Sequence, residues 1–209
     1  MKTILCYGDS NTWGWNPALK RRYERDERWA GVLRTELGET YTVIEEGLNG
    51  RTTVLSDPIE GYHKNGRDYL LPCLETHAPL DLVIIMLGTN DLKKRFSLPA
   101  SDIARGAGRL VKIVQQCEAG PDGKAPLVLL LAPPPVAKLT DFAEMFEGSE
   151  EKSQKLGMYY RQTAQELGCE LLDTSEVIVS SEVDGIHFDL DEHRKLGKAV
   201  ASRVRKIVG

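Results

Sequence analysis

Leu80-Asp81-Leu82-Val83-Ile84-Ile85-Met86-Leu87-Gly88-Thr89-Asn90-Asp91 is the stretch whose reading decides the fold. From Leu80 to Leu87 it is the most hydrophobic run of the chain, and it has no regularly polar face. A strand of that kind is covered on both sides, which is the environment of a central strand in a parallel sheet. Working outward, Thr3 to Tyr7, Tyr41 to Ile44, Leu127 to Leu131 and Glu170 to Leu172 read as four further strands. Between them, apolar residues recur at helical spacing: Trp29, Leu33 and Leu37 before Gly38; Leu70, Leu71 and Leu74 within Asp68 to Thr76; Ile103, Ala107, Leu110 and Val114. A further helix runs from about Ser149 to Leu167, with Gly168 as its stop. The last presents Leu196, Val200, Val204 and Ile207, and Asp189 with Glu192 reads as its capping pair. Strands alternating with helices five times predict an α/β sandwich of three layers, with a five-stranded parallel sheet in the middle. Right-handed crossovers bring every strand's carboxyl end to one edge, where such sheets bind ligands.

Length and composition agree with one such unit. No linker or composition shift divides residues 1–209, and 41% hydrophobic with 28% charged residues is ordinary for a globular protein. A chain of this size buries roughly 70% of its unfolded surface, so it folds without a staple. The net charge of −4 is interspersed, and Lys20, Arg21, Arg22 and Arg25 are diluted by Glu24, Asp26 and Glu27. Neither nucleic acid nor an anionic membrane is the expected partner. Cys6, Cys73, Cys117 and Cys169 lie far apart without a C-x-x-C pair, so no metal site is expected. Cys6 and Cys169, in or beside apolar runs, read as buried free thiols of a reducing compartment. With no signal peptide and no membrane-length apolar run, the expected location is cytoplasmic.

Chemistry gathers where strands end. Gly8-Asp9-Ser10 follows the first strand, and a serine on a tight turn there can present its hydroxyl to a pocket. Asp184-Gly185-Ile186-His187 sets a carboxylate three residues before a histidine, so one loop can carry a base and the group that orients it. The loop Glu45 to Thr53 contains Gly47 and Gly50, which let backbone amides approach a bound group; the alternative is an ordinary turn. Asn90 ends the central strand. Each signal is common alone, but the ordered set supplies nucleophile, base, orienting group and oxyanion donors for attack on an ester carbonyl. Trp13 and Trp15 line an acyl pocket or anchor the turn, and Ala132-Pro133-Pro134-Pro135 is a pocket wall or a plain loop. Phe142, Met145 and Phe146 form a cover, an oligomer contact or core. Asp9 and Asp91 read as braces of their turns, and His63, His77 and His193 as surface or packing residues. Asp189-Leu190-Asp191 reads as a helix start in preference to a metal motif.

Gly8-Asp9-Ser10, the glycine of Leu48-Asn49-Gly50, Gly88-Thr89-Asn90-Asp91 and Asp184-Gly185-Ile186-His187 together resemble the four blocks of the SGNH hydrolases, or GDSL-type esterases. Trp13-Gly14-Trp15 and Ile44 to Leu48 further resemble the bacterial arylesterase and acyltransferase branch. The resemblance implies a flavodoxin-like three-layer SGNH fold and a serine esterase acting on short aryl or alkyl esters. It gives Ser10 as nucleophile, His187 as base and Asp184 as its orienting carboxylate. The oxyanion donors would be the amides of Ser10 and Gly50 and the Asn90 side chain, with Gly47 competing for the second place. It implies no cofactor, a small ester as partner with water or an alcohol as acceptor, and a homo-oligomer. Trp13, Trp15 and the Phe142 to Phe146 patch would dry the site in favour of alcohols or hydrogen peroxide over water, the latter a perhydrolase reaction by the same mechanism. Asn11 departs from the family's usual leucine after the serine. The alternatives are a carbohydrate O-acetyl esterase and a non-catalytic small-molecule binding module; a nucleotide binder lacks its glycine fingerprint.

Overall fold

A computed structural model describes all 209 residues. In chain order the elements are β1 (Lys2–Gly8), α1 (Ser10–Trp13), β2 (Trp15–Asn16), β3 (Arg21–Arg22), α2 (Trp29–Leu37), β4 (Tyr41–Gly47) and α3 (Gly66–His77). They continue with β5 (Leu82–Met86), α4 (Ala100–Gln116), β6 (Leu127–Ala132), α5 (Ser149–Ser153), α6 (Leu156–Leu167), β7 (Glu170–Asp173) and α7 (Leu190–Val208). The five long strands form one parallel sheet in the order β4-β1-β5-β6-β7. The expected sheet is therefore present. β5 is trimmed at both ends relative to the apolar run, although Leu80 and Leu87 stay fully buried beside it. A small antiparallel pair, β2 with β3, had no signal in the sequence.

Alternation along the strands makes two cores. Leu5, Tyr7, Val83, Ile85 and Leu130 share one face with residues of α3, α4 and α6, while Ile4, Cys6, Leu82, Ile84, Leu129 and Leu131 share the other with α2 and α7. Each fully buried aliphatic side chain contributes about 1.5–3 kcal/mol, so a strand apolar on both faces is anchored twice. Two expectations near the helices are corrected. The helix expected from Ser149 to Leu167 breaks at Gln154–Lys155, because the Ser153 hydroxyl donates to the Glu150 carbonyl (2.9 Å) and accepts the Val136 amide (3.0 Å), closing the first segment. Asp189 and Glu192 do not cap α7 reciprocally. Asp189 accepts the Ser181 hydroxyl (2.8 Å) and Glu192 the Val179 amide (3.0 Å), so both carboxylates pin the loop ahead of Asp184. Cys6 is buried as expected, whereas Cys169 is only half-buried.

His193 is fully buried on the inner face of α7, edge-on to Tyr23 and Phe188, and its Nδ1 accepts the Trp29 amide at 3.2 Å. Burial, then the charges of His187 and Arg28, push its pKa from the ordinary 6.5 down to about 3. The unfolded chain therefore takes up this proton near pH 6.5, and the folded chain only near pH 3. Stability from the neutral ring is complete above pH 6.5 and declines as pH falls toward 3. Relative to a His193→Gln variant, the wild type is expected to lose up to about 1 kcal/mol per pH unit across that window. Denaturant titrations of both proteins at pH 7.5 and 5 measure this; a parallel pair of curves would refute it.

Candidate active site

β1 and β4 end side by side, Gly8 opposite Gly47, and β5 ends beside β1. Past Gly8 the chain turns sharply, because the Asp9 carboxylate accepts the Asn11 amide at 2.9 Å and starts the single turn α1. Ser10 is its first residue, where a helix has no internal partner for the amide. The Asp184–His187 loop is folded on itself: the Ser181 amide donates to the His187 carbonyl (2.7 Å), and the Ala137 amide to the Gly185 carbonyl (2.8 Å). Asn11, the departure from the family pattern, joins the two ends of the chain by donating its side-chain amide to the Ile186 carbonyl at 3.3 Å.

Ser10 Oγ lies 3.0 Å from His187 Nε2, and His187 Nδ1 lies 2.6 Å from Asp184 Oδ2. Asp184 Oδ1 accepts the amides of Ile186 and His187, each at 2.9 Å. Burial pushes the Asp184 carboxyl up, but the His187 hydrogen bond, its charge and the two amides outweigh this and hold it below the usual range. A carboxylate can only accept, so Nδ1 carries the hydrogen and Nε2 is left to receive the serine proton. Ser10 and His187 are 8% and 7% exposed, so this relay sits largely out of water yet remains reachable.

A cavity of about 200 Å³ opens over the serine. Gly50 and Asn90 line it with Ser10 and His187. Gly50 has φ +77° and its amide makes no hydrogen bond within the chain. Gly47 answers a different need: it lies in β4, where a Cβ would come within 2.2 Å of the Trp13 nitrogen, and it does not line the cavity. Asn90 Nδ2 donates to the Arg51 carbonyl at 3.1 Å and stands 3.5 Å from the Asp9 carboxylate, two acceptors that fix which way the amide faces. Its second N–H is thus only weakly engaged. Asp9 and Asp91 are braces, as expected: Asp91 accepts the Thr53 amide at 3.0 Å, and burial pushes both carboxyls up to about 6.

Trp15, Phe142, Met145, Phe146 and Ile186 make the apolar wall. Trp15 and Phe142 each have ring centres 6.0 Å from the His187 ring. Trp13 is not part of that wall; it packs behind Trp15 at 6.3 Å under the Arg22 guanidinium, so of the two tryptophans one faces the cavity and one supports it. The triple proline stays outside the cavity.

Four contributors escaped the sequence reading. Arg51, buried although charged, donates to the Gly8 carbonyl (2.9 Å) and the Glu46 carbonyl and stacks 4.1 Å over the Tyr7 ring, clamping the Gly50 loop to the sheet. Asn49, Glu60 and Lys93 line the cavity. A single arginine in a polar loop, or the first residue of the basic run Lys93-Lys94-Arg95, carries no local sign of burial, although Lys93 lies two residues past the Asn90 block. Elsewhere, Glu46, Cys73 and His77 have ligand-type atoms within 4.8 Å of one another. Glu46 and His77 are already hydrogen-bonded at 2.9 Å, and burial followed by the Glu46 charge pushes the Cys73 thiol up to about 12, so the trio reads as a hydrogen-bonded packing cluster. No helix is long and apolar enough to cross a membrane.

The GDSL-like lipase/acylhydrolase family matches residues 6–195. Among solved structures, an aryl esterase of M. smegmatis is 45% identical over all of both chains, with a TM-score of 0.95. A carbohydrate acetylesterase from Sinorhizobium meliloti is 42% identical over 99% of each chain, with a TM-score of 0.94. A putative arylesterase from Agrobacterium tumefaciens is 40% identical over both complete chains, with a TM-score of 0.91. No curated protein sequence matches. The five-stranded parallel sheet and the match across nearly the whole length lead to one conclusion: this chain belongs to the GDSL-like lipase/acylhydrolase family and is an esterase of the SGNH type.

Proposed function

We propose that the chain cleaves short-chain carboxylic esters through an acyl-enzyme on Ser10, and passes the acyl group to alcohols as well as to water. The observation that carries this reading is the relay of 3.0 Å and 2.6 Å from Ser10 through His187 to Asp184 beside an unengaged Gly50 amide. Ser10 Oγ forms a bond to the carbonyl carbon while its proton moves to His187 Nε2. The oxyanion is met by the amides of Ser10 and Gly50 and by the Asn90 side chain, donors that need no reorganisation as the charge develops. The carbon–oxygen bond to the alcohol then breaks, and Nε2 returns the proton to the departing oxygen. A second hydroxyl, from water or an alcohol, enters by the same route and releases the acyl group.

A cavity of about 200 Å³ favours acetyl and similarly short acyl groups. Trp15 and Phe142 beside His187 support an aryl or small alkyl alcohol, and they exclude enough water to favour an alcohol acceptor. The acetylesterase relative supports sugar acetates as a second substrate class. One experiment tests both steps: several aryl acetates are turned over in water containing ethanol, and the ratio of ethyl acetate to free acetate is measured. A common acyl-enzyme gives one ratio whatever phenol departs. A ratio that varies with the phenol refutes the acyl-enzyme, and free acetate alone refutes the transfer.

A further inference from the structure

The cavity has a polar wall that ester cleavage as described above does not use. Lys93 is 2% exposed, one of the largest fully buried side chains in the protein, and it lines the cavity together with Glu60 and Asn49. Lys93 Nζ donates to Glu60 Oε1 at 2.6 Å, and Arg95 Nη2 donates to the same oxygen at 2.7 Å. Asp57 lies further back, 3.3 Å from Arg95 Nε and 3.8 Å from Lys93 Nζ. An ammonium has three donors, and only the Glu60 contact is within hydrogen-bonding distance, so Lys93 keeps donors to spare. Glu60 Oε2 accepts nothing in the chain and lies against Gly50, where a Cβ would come within 2.4 Å of it. Asn49 Oδ1 is a buried acceptor without a partner.

Two carboxylates and two cations make this cluster neutral, so it holds no net attraction for an anion. A spare N–H beside a spare carboxylate oxygen suits one kind of neutral group, a hydroxyl, which can accept from the first and donate to the second. An alkyl group in the same place would leave both unpaired, at the cost of a hydrogen bond to a charged group. Orientation follows from the chemistry. The departing oxygen must reach His187 Nε2, and His187 is flanked by Trp15 and Phe142. The alcohol half of the ester therefore occupies the aromatic side, and the acyl substituent is left the polar wall beside the Gly50 oxyanion donor, where Glu60 and Lys93 stand.

We infer that Glu60 and Lys93 select esters whose short acyl group carries a hydroxyl, such as a glycolyl ester. This rests on the proposal that Ser10 is acylated. The test uses two pairs of esters of matched skeleton: ethyl glycolate against ethyl propionate, and 2-hydroxyethyl acetate against propyl acetate. Comparing variants with wild type cancels the greater intrinsic reactivity of the glycolate. In Glu60→Gln and in Lys93→Met the kcat/KM ratio for the acyl pair is expected to fall about 10- to 100-fold, the loss of one hydrogen bond to a charged group. The ratio for the alcohol pair is expected to stay where it was. An acyl-pair ratio that does not move, or a change confined to the alcohol pair, overturns the inference. Glu60→Gln preserves the side-chain shape and keeps the test available where Lys93→Met fails to fold. A Ser10→Ala variant with wild-type activity would instead remove the acyl-enzyme reading itself, so the two failures are distinguishable.

Discussion

Ser10→Ala is expected to lower kcat on aryl acetates by about 10⁵- to 10⁶-fold, to the background that oxyanion donors and binding alone can supply. The effect is large because the hydroxyl has no substitute: of the residues lining the cavity, Ser10 is the one whose oxygen is engaged by an imidazole, and that imidazole is oriented by a carboxylate. The fold should survive. Ser10 Oγ is bonded only to His187 Nε2, while the turn that carries it is held by Asp9 and by Asn11. Removing that contact costs about 1 kcal/mol of stability. Burst and steady-state release of p-nitrophenol measure the loss, and unfolding midpoints show that structure is retained. A variant within tenfold of wild type would mean that another group attacks the ester.

Asp184→Asn is expected to reduce kcat by about 10⁴-fold with little change in KM. The asparagine carbonyl can still accept the amides of Ile186 and His187, so the loop keeps its shape. Its NH₂ would face Nδ1, forcing the hydrogen onto Nε2, where it points at Ser10 and blocks proton uptake. The same substitution has a signature in stability. The Asp184 carboxyl titrates below its ordinary 3.8 in the folded chain, so its contribution is complete above pH 3.8 and is lost as pH falls through the lower, folded value. The variant should therefore lose less stability than wild type on acidification below pH 4. Equal kcat in both proteins at pH 8 would place the orienting role elsewhere.

The parts of the site legible in the sequence share one property: each is announced by a strand that stops. Ser10, Gly50, Asn90 and the Asp184–His187 pair lie beyond strands whose hydrophobicity was read directly, and the right-handed connection did the rest. Where two readings stood open, packing chose. Gly50 faces the cavity while Gly47 makes room for Trp13, and Trp15 faces His187 while Trp13 supports it. Phe142 and Phe146 became cavity wall, with Phe146 also joined to the core. The capping pair failed for a related reason. Asp189 and Glu192 have the right spacing, but Ser181 and the Val179 amide offered their carboxylates other partners.

The order of strands and helices, the sheet edge at which the candidate residues gather, and the residues proposed as nucleophile, base and orienting carboxylate were legible in the sequence alone. Periodicity and strand ends are local properties, and local properties are written in consecutive residues. The tertiary structure alone decided that Arg51 is buried as a clamp, that Asn11 ties the two ends of the chain together, and that Glu60 and Lys93 meet in the cavity wall. Those contacts join residues 33 to 175 positions apart, and the burial of a charge depends on which partner comes to meet it.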